Sequence, residues 1–437
     1  MKQLITTILF LSLTHISFSQ ELTFQAALDS GKAEFKRQTA ADTADFSKAC
    51  QLLQQAVDRK PGNAEARYFL GYAIDRMNAE DGSKMNLSKK ELTLRASEQF
   101  EMVNKLDPHY KGELWILDPY SKLSTIWGSL AMSYLTKNKI DSSKWAFRNG
   151  KERGGFIEPV LEFNRQLLRS CATNAILIST GDNLTITMWY LQEMEHLRTD
   201  ITVIDAHMIA VPWYVKHLKY RKDLAISFSD AEIDTINYLP WKSTNISIDN
   251  PQGNSQGIHI NFNWVLKPTY YDQYILRGDR LLLDIVKQNL YKRPFYFTQG
   301  SDSTYNLFLD DRFTADGIVD RLIVQTDDDT TSTTIISANL SSYSIDKLNA
   351  NDIKKSKDAI FVLNGFRWAY YTNINFLYKI NQFTRARVLL NEMDRKFPIE
   401  KLPYSSDYLQ QAIEHVRQLL SSASAFYDTK NKKAVHQ

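Results

Sequence analysis

The sequence predicts an α+β multidomain fold: an N-terminal helical-repeat solenoid, a central α/β domain with a mainly parallel sheet, a β-rich segment and a C-terminal helical hairpin. Three observations carry this. Small and large apolar residues recur at fixed offsets through residues 21–155, short apolar runs alternate with amphipathic segments from 175 to 220, and the helical spacing returns across 355–422. A chain of 437 residues allows about three domains at roughly 150 residues each. With 43% hydrophobic and 24% charged residues it matches folded globular proteins, not disordered or collagen-like chains. The 53 Lys and Arg against 50 Asp and Glu leave a net charge of +3, too balanced to steer the molecule to nucleic acid.

The repeats come first. Ala49, Leu53, Ala56 and Pro61 stand at offsets of 4, 3 and 5, and Ala96, Phe100, Val103 and Pro108 repeat them. Leu70, Gly71 and Ile74 suit the preceding helix, separated from its partner by a polar insertion, Asn78 to Lys89. A third copy reads Trp127, Leu130, Ala131, Tyr134, Ser143, Phe147 and Gly150. Small residues let antiparallel helices approach, large ones fill the space between them, and proline stops a helix by denying the next turn its hydrogen bond. This spacing resembles the tetratricopeptide repeat, whose helical hairpins bury their apolar faces only by stacking. Ala386, Leu390, Met393 and Pro398 repeat the 4, 3, 5 spacing near the C-terminus, with Tyr370 and Leu377 on the preceding helix and a last helix from Ser405 to Leu420.

In the centre, Ala175 to Thr180 and Ile201 to Asp205 read as buried parallel strands, each followed by a helix, Thr185–Leu197 and Trp213–Tyr220. Further strands are expected at Gly257–Phe262 and Pro294–Thr298, with a helix at about Asp279–Tyr291. Asn306 to Tyr343 reads as β-rich, with LDDRFTADG and QTDDDTTSTT as polar connections. The α/β domain with its β-rich extension is thus placed at 160–345.

The first 19 residues read as a signal peptide: Lys2 precedes an apolar run from Leu4 to Leu13, and Ser17-Phe18-Ser19 precedes Gln20. That run falls short of the about 20 residues that span a bilayer, so the expectation is an exported, periplasmic or secreted protein that is not integral to the membrane. Cys50 and Cys171 read as two free buried thiols, a disulfide being the alternative. The basic tail KNKKAVHQ reads as a frayed end.

Residues 175–220 carry Gly181-Asp182-Asn183, Trp189-Tyr190, Gln192-Glu193 and Arg198-Thr199-Asp200, and a later strand carries Arg293-Pro294-Phe295-Tyr296-Phe297. These motifs resemble the extracytoplasmic region of a bacterial protein O-mannosyltransferase-like family of membrane proteins of unknown function. The likeness covers roughly 250 residues. It departs at Leu184, where the family has Asp, and at Val211-Pro212 before Trp213-Tyr214. The resemblance implies the module and its side of the membrane; the family's multi-pass membrane part, with the place for a catalytic acid, is not in this sequence.

Asp182, Asn183, Asp205 and His207 form the most chemically suggestive constellation. Each follows a predicted parallel strand, and ligands bind outside the carboxyl ends of such strands. Two carboxylates and an imidazole could perform acid–base chemistry or hold a cation; Asp182 and Asn183 could equally cap the next helix. Trp189 and Trp213 are further ligand-binding candidates. Glu193, Glu195 and His196 lack HExxH spacing, and Asp310-Asp311 and Asp327-Asp328-Asp329 lack the spacing of a calcium loop. No motif calls for a cofactor or a structural metal. Trp368, Tyr370, Tyr371, Phe376 and Tyr378 could form a sugar platform but fit helix-packing positions. Two functions remain: an interaction or scaffold protein for a peptide, protein partner or glycan of the cell envelope, or an envelope hydrolase or glycan-modifying enzyme using Asp182, Asp205 and His207.

Overall fold

The computed structural model describes residues 22–41, 44–251, 261–300, 302–324 and 340–434. The segment expected to be a signal peptide (residues 1–19), the QTDDDTTSTT connection with Asp327 to Asp329, and the last three residues lie outside them.

The N-terminal region is helical throughout: α1 Phe24–Thr39, α2 Ser47–Arg59, α3 Ala64–Ala79, α4 Lys90–Leu106, α5 Pro119–Thr136 and α6 Ile140–Glu152. Each helix packs on the next along the chain. Ala49, Leu53, Ala56, Leu70, Phe100, Trp127 and Phe147 are fully buried, and Tyr134 is half-buried. Two glycines permit the close approach of paired helices: a Cβ on Gly31 would stand 2.7 Å from Leu53 Cγ, and one on Gly71 would stand 2.8 Å from the Phe100 ring. Gly31 thus does for α1 and α2 what Gly71 does for α3 and α4. Trp127 donates its indole N–H to Ser97 Oγ at 2.9 Å, which removes the cost of burying a polar group in the core.

The polar insertion is pinned rather than loose. Asn78 donates to Thr93 Oγ1 (3.0 Å) and accepts from Lys89 N (2.7 Å), Met85 is buried, and Ser133 Oγ donates to Asn86 O (2.9 Å). Cys50 and Cys171 are both free. Only Cys171 is buried; Cys50 is half-buried, because its place on α2 lies at the edge of the packing, with Sγ 3.3 Å from Met77 Sδ.

The central region opens with α7 Glu158–Ser170, β1 Ile176–Ser179, α8 Asp182–Met194, β2 Thr202–Asp205, α9 Pro212–Arg221 and α10 Asp230–Thr235. It continues through β3 Leu239–Pro240, β4 Thr244–Ile248, β5 Phe262–Leu266, β6 Tyr274–Ile275, α11 Arg277–Asn289, β7 Phe295–Thr298, β8 Phe313–Asp316 and β9 Val319–Leu322. The main sheet has the order β2-β1-β7-β9-β8. β1 runs parallel to both neighbours, Ile176 facing Thr202 and Phe295, while β9 and β8 complete an antiparallel edge. Every residue of β1, β2 and β7 is buried, which is why these runs carry no polar alternation. Two expectations need correction. The strand expected at Gly257–Phe262 begins at Phe262 and runs to Leu266, paired with β4 in a separate hairpin; residues 257–260 lie outside the described segments. Phe313 to Asp316 of the supposed polar connection LDDRFTADG is a strand, since pairing with β9 satisfies its backbone.

The C-terminal region comprises α12 Ala350–Lys354, α13 Lys357–Lys379, α14 Phe383–Lys396 and α15 Asp407–Ala434, the last continuing past the Leu420 expected as its end. Ala386, Leu390, Met393, Tyr370 and Leu377 are buried. Arg367 is buried too, donating to Phe397 O (2.6 Å) and Leu402 O (2.7 Å); burial without an acid partner pushes its guanidinium down to about 10.

The amino ends of α5 and α13 meet. Asp118 is the N-cap of α5, accepting from Tyr120 N (3.0 Å) and Ser121 N (2.9 Å), and it also accepts from Ser356 Oγ (2.5 Å) and Asp358 N (3.1 Å). Asp358 accepts in return from Asp118 N at 2.8 Å, and the Asn183 amide of α8 donates to it. The main apolar core runs from Ala27 to Leu420, and a second small cluster, Tyr120, Ile157, Val160 and Ala359, lies at this junction.

Two outcomes follow. Trp127→Ala should cost about 3 to 5 kcal/mol, as emptying a buried aromatic site does; an unchanged melting temperature would show that α5 and α6 do not pack around it. Burial and the neighbouring Asp118 raise the Asp358 carboxyl from 3.8 to about 6. The folded state therefore binds more protons than the unfolded chain in that window, and stability falls as pH rises from 3.8 to about 6. Melting curves of Asp358→Asn across that window should lose this decline; an identical slope in the variant would refute the assignment.

Candidate functional site

The spaces at Trp189, at Trp213 and at the end of β7 are not lined by Asp182, Asn183, Asp205 or His207. Gly181, with φ of +92°, occupies the cap position of α8, a conformation that a side chain makes costly. Asp182 is therefore the first helical residue, with Gly181 in the N-cap position; its charge sits where the helix dipole favours an anion. Asn183 belongs to the opposite neighbourhood: its carbonyl accepts from Asn164 Nδ2 (3.0 Å) and its amide reaches Asp358.

Asp205 is buried, and both of its carboxylate oxygens are engaged. Oδ2 accepts from Thr185 Oγ1 at 2.6 Å, and Oδ1 accepts from His207 N (2.9 Å) and Met208 N (3.0 Å). Ser179 Oγ lies 2.7 Å from Thr185 Oγ1, so the ends of β1, β2 and α8 are tied into one network. The His207 ring is half-exposed and packs on Tyr305, centroids 4.5 Å apart, with Nδ1 3.6 Å from Asp205 Oδ1. That distance is too long for a hydrogen bond. Among the described residues, no group of three or more His, Cys, Asp or Glu side chains could hold a metal ion.

Trp189 and Trp213 line two spaces where the helical region meets the central one. Trp189 borders a space of about 170 Å³ shared with Met132, Ile140 and His217, whose imidazole burial pushes down to about 4. Trp213 borders a neighbouring space of about 370 Å³ and donates to Ser83 O at 2.9 Å, holding the insertion against α9.

A larger cleft, about 500 Å³, opens at the carboxyl end of β7. Sheet order explains its position. The chain leaves β1 toward β2 on one side, while β7 leads to β8 and β9 on the other, so the connections diverge between β1 and β7. Such divergence points are where open α/β sheets bind ligands. Thr298, Gln299 and Gly300 form one wall, Ala315, Ile318 and Asp320 of the antiparallel edge a second, and Phe163, Leu184, Gly365 and Trp368 of the flanking helices the rest. Gln299 Nε2 donates to Asp320 Oδ1 at 3.1 Å. Burial, with a smaller push from Asp310, raises the Asp320 carboxyl to about 6. Sequence reasoning passed over Asp320 and Gln299; the one available signal was Trp368 in the aromatic run, read there chiefly as core. It is half-buried, with Tyr371 and Tyr408 against it at 5.4 and 5.8 Å.

The residues that carry the family likeness sit mostly at the other end of the sheet. Arg198 donates to Leu168 O, Cys171 O and Ala172 O, each at 2.9 Å, and pairs with Asp200, holding that carboxyl at about 2. Arg293 donates to Asn174 O, Ala175 O and Thr202 Oγ1. Gln192 donates to Arg198 O and Ile201 O. These side chains hold the loops entering β1 and β2.

Among the described residues, no helix is long and apolar enough to cross a membrane. No curated protein matches the chain, and no solved structure does. Residues 160–229 and 222–340 match the family model described as TMEM260-associated domain 2, so the central region with its sheet is similar to that domain.

Proposed function

We propose that this chain is an exported, non-catalytic interaction protein of the cell envelope, with a tetratricopeptide-type helical region that engages a protein or peptide and a central region that holds a ligand at the edge of its sheet. The observation that carries this reading is the state of Asp205: its oxygens are occupied by Thr185 and two backbone amides. A carboxylate so employed holds the turn after β2 to α8, which supports a structural role for it. The helical packing around Leu53, Phe100 and Trp127 supports the repeat assignment. The similarity of residues 160–340 to a TMEM260-associated domain supports a place beside glycosylation, since TMEM260 is a protein O-mannosyltransferase.

Export rests on Lys2, the Leu4–Leu13 run and Ser17-Phe18-Ser19. Mass spectrometry of the natively produced protein should find an N-terminus at or near Gln20; Met1 retained on cytosolic material would end the export reading. Asp205→Ala, which leaves buried donors without an acceptor, should lower stability by about 1 to 3 kcal/mol, and Asp205→Asn should recover part of it. A glycan- or peptide-modifying activity in the parent protein, lost in both variants at unchanged melting temperature, would replace the scaffold with an enzyme.

A further inference from the structure

The cleft at the end of β7 has a composition that selects among ligands. Among the described residues that line it there is no lysine, arginine or histidine. A phosphate, sulfate or carboxylate would find no counter-charge there and would meet Asp320. A wholly apolar ligand fits poorly too, because it would strip water from a carboxyl, an amide and the Thr372 hydroxyl without replacing its hydrogen bonds. An extended peptide could not add to β7 or β9, since each is already paired on both sides. What remains is a compact neutral molecule rich in hydroxyls, with a C–H face to lay on an indole.

We propose that this cleft binds a neutral hexose unit of a glycan, stacked on Trp368 and held through its hydroxyls by Asp320 and Gln299. The volume, about 500 Å³, is in the range of small-molecule sites. An indole offers a sugar ring a flat, polarisable wall. Asp320 accepts hydroxyl protons through the lone pairs left by its bond to Gln299, and the Gln299 carbonyl is a second acceptor. A charge-assisted hydroxyl–carboxylate bond is the stronger kind and fixes which hydroxyl points inward. This inference rests on the non-catalytic reading: Asp320 is the one carboxyl among the described residues lining the cleft, whereas hydrolysis of a glycosidic bond ordinarily uses two flanking carboxyl groups.

The test uses the full-length protein and the methyl glycosides of mannose, glucose and galactose, with methyl glucuronide as the charged control. Saturation-transfer NMR and calorimetry read binding, and the same tubes are followed for new sugar signals. At least one neutral glycoside should bind saturably while the glucuronide does not. Asp320→Asn and Trp368→Ala should each weaken binding by about tenfold or more. Trp368→Phe, which keeps an aromatic wall, should lose less, and parallel melting curves separate lost binding from lost folding. Absence of saturable binding by any neutral glycoside, equal binding of the glucuronide, or full affinity in well-folded Asp320→Asn and Trp368→Phe together with Trp368→Ala would overturn the assignment. Conversion of a bound glycoside would overturn the non-catalytic reading while leaving the sugar site standing; absent binding with no conversion overturns the sugar site alone.

Discussion

Two helix amino ends, α5 and α13, point into one buried junction, and that constraint organises the molecule. Each brings unpaired N–H groups and the positive end of a helix dipole. Left alone they would repel and would leave donors stranded. Asp118 and Asp358 resolve this by exchanging backbone hydrogen bonds across 240 residues of chain. Asn183, at the start of α8, joins the same cluster. The three parts of the chain are therefore fixed to one another by groups that have no satisfactory alternative partner inside the protein. Burial, reinforced by the like charge of Asp118, is why Asp358 gives up its proton reluctantly.

The cleft depends on that junction. α13 begins at the Asp118–Asp358 pair and carries Gly365 and Trp368 to the mouth of the sheet. β7 contributes Gln299 only because its parallel pairing with β1 places their carboxyl ends side by side. The antiparallel edge then brings Asp320 of β9 across from Phe297. Gathered from distant stretches of chain, these groups form a space that is apolar on most sides and polar at one point. Such a space suits recognition: a desolvated carboxyl and an amide can orient a neutral ligand.

The side chains that make the central region resemble a known family divide into two kinds of work. Arg198, Gln192 and Arg293 donate to carbonyls where the chain enters the parallel strands, and Asp200 accepts from Arg198 and from the Asn174 amide. Gly181, Asp182 and Asn183 stand at the exit of β1, where the backbone must turn sharply into α8. Both groups are devices for building the sheet, and the candidate site lies beside them, not on them.

Much of the architecture was legible in the amino-acid order because it depends on local spacing. Helical pairs follow from residues such as Ala49, Leu53 and Ala56, which meet within a few turns, and the parallel strands follow from runs such as Ile176–Ser179 that leave no polar face for solvent. The Asp205 network was half legible: the residue falls at a strand end, but its partner Thr185 lies 20 positions away and is found only when β1 and β2 are in register. The cleft was not legible. Gln299, Asp320 and Trp368 carry no shared spacing, and their meeting depends on strand order, on the antiparallel return of β9 and on the seating of α13 against α7. Short-range periodicity encodes which segments become helix or strand, whereas the choice of neighbours is made by the packing of the whole chain, and a binding site built from three such neighbours exists only after that choice.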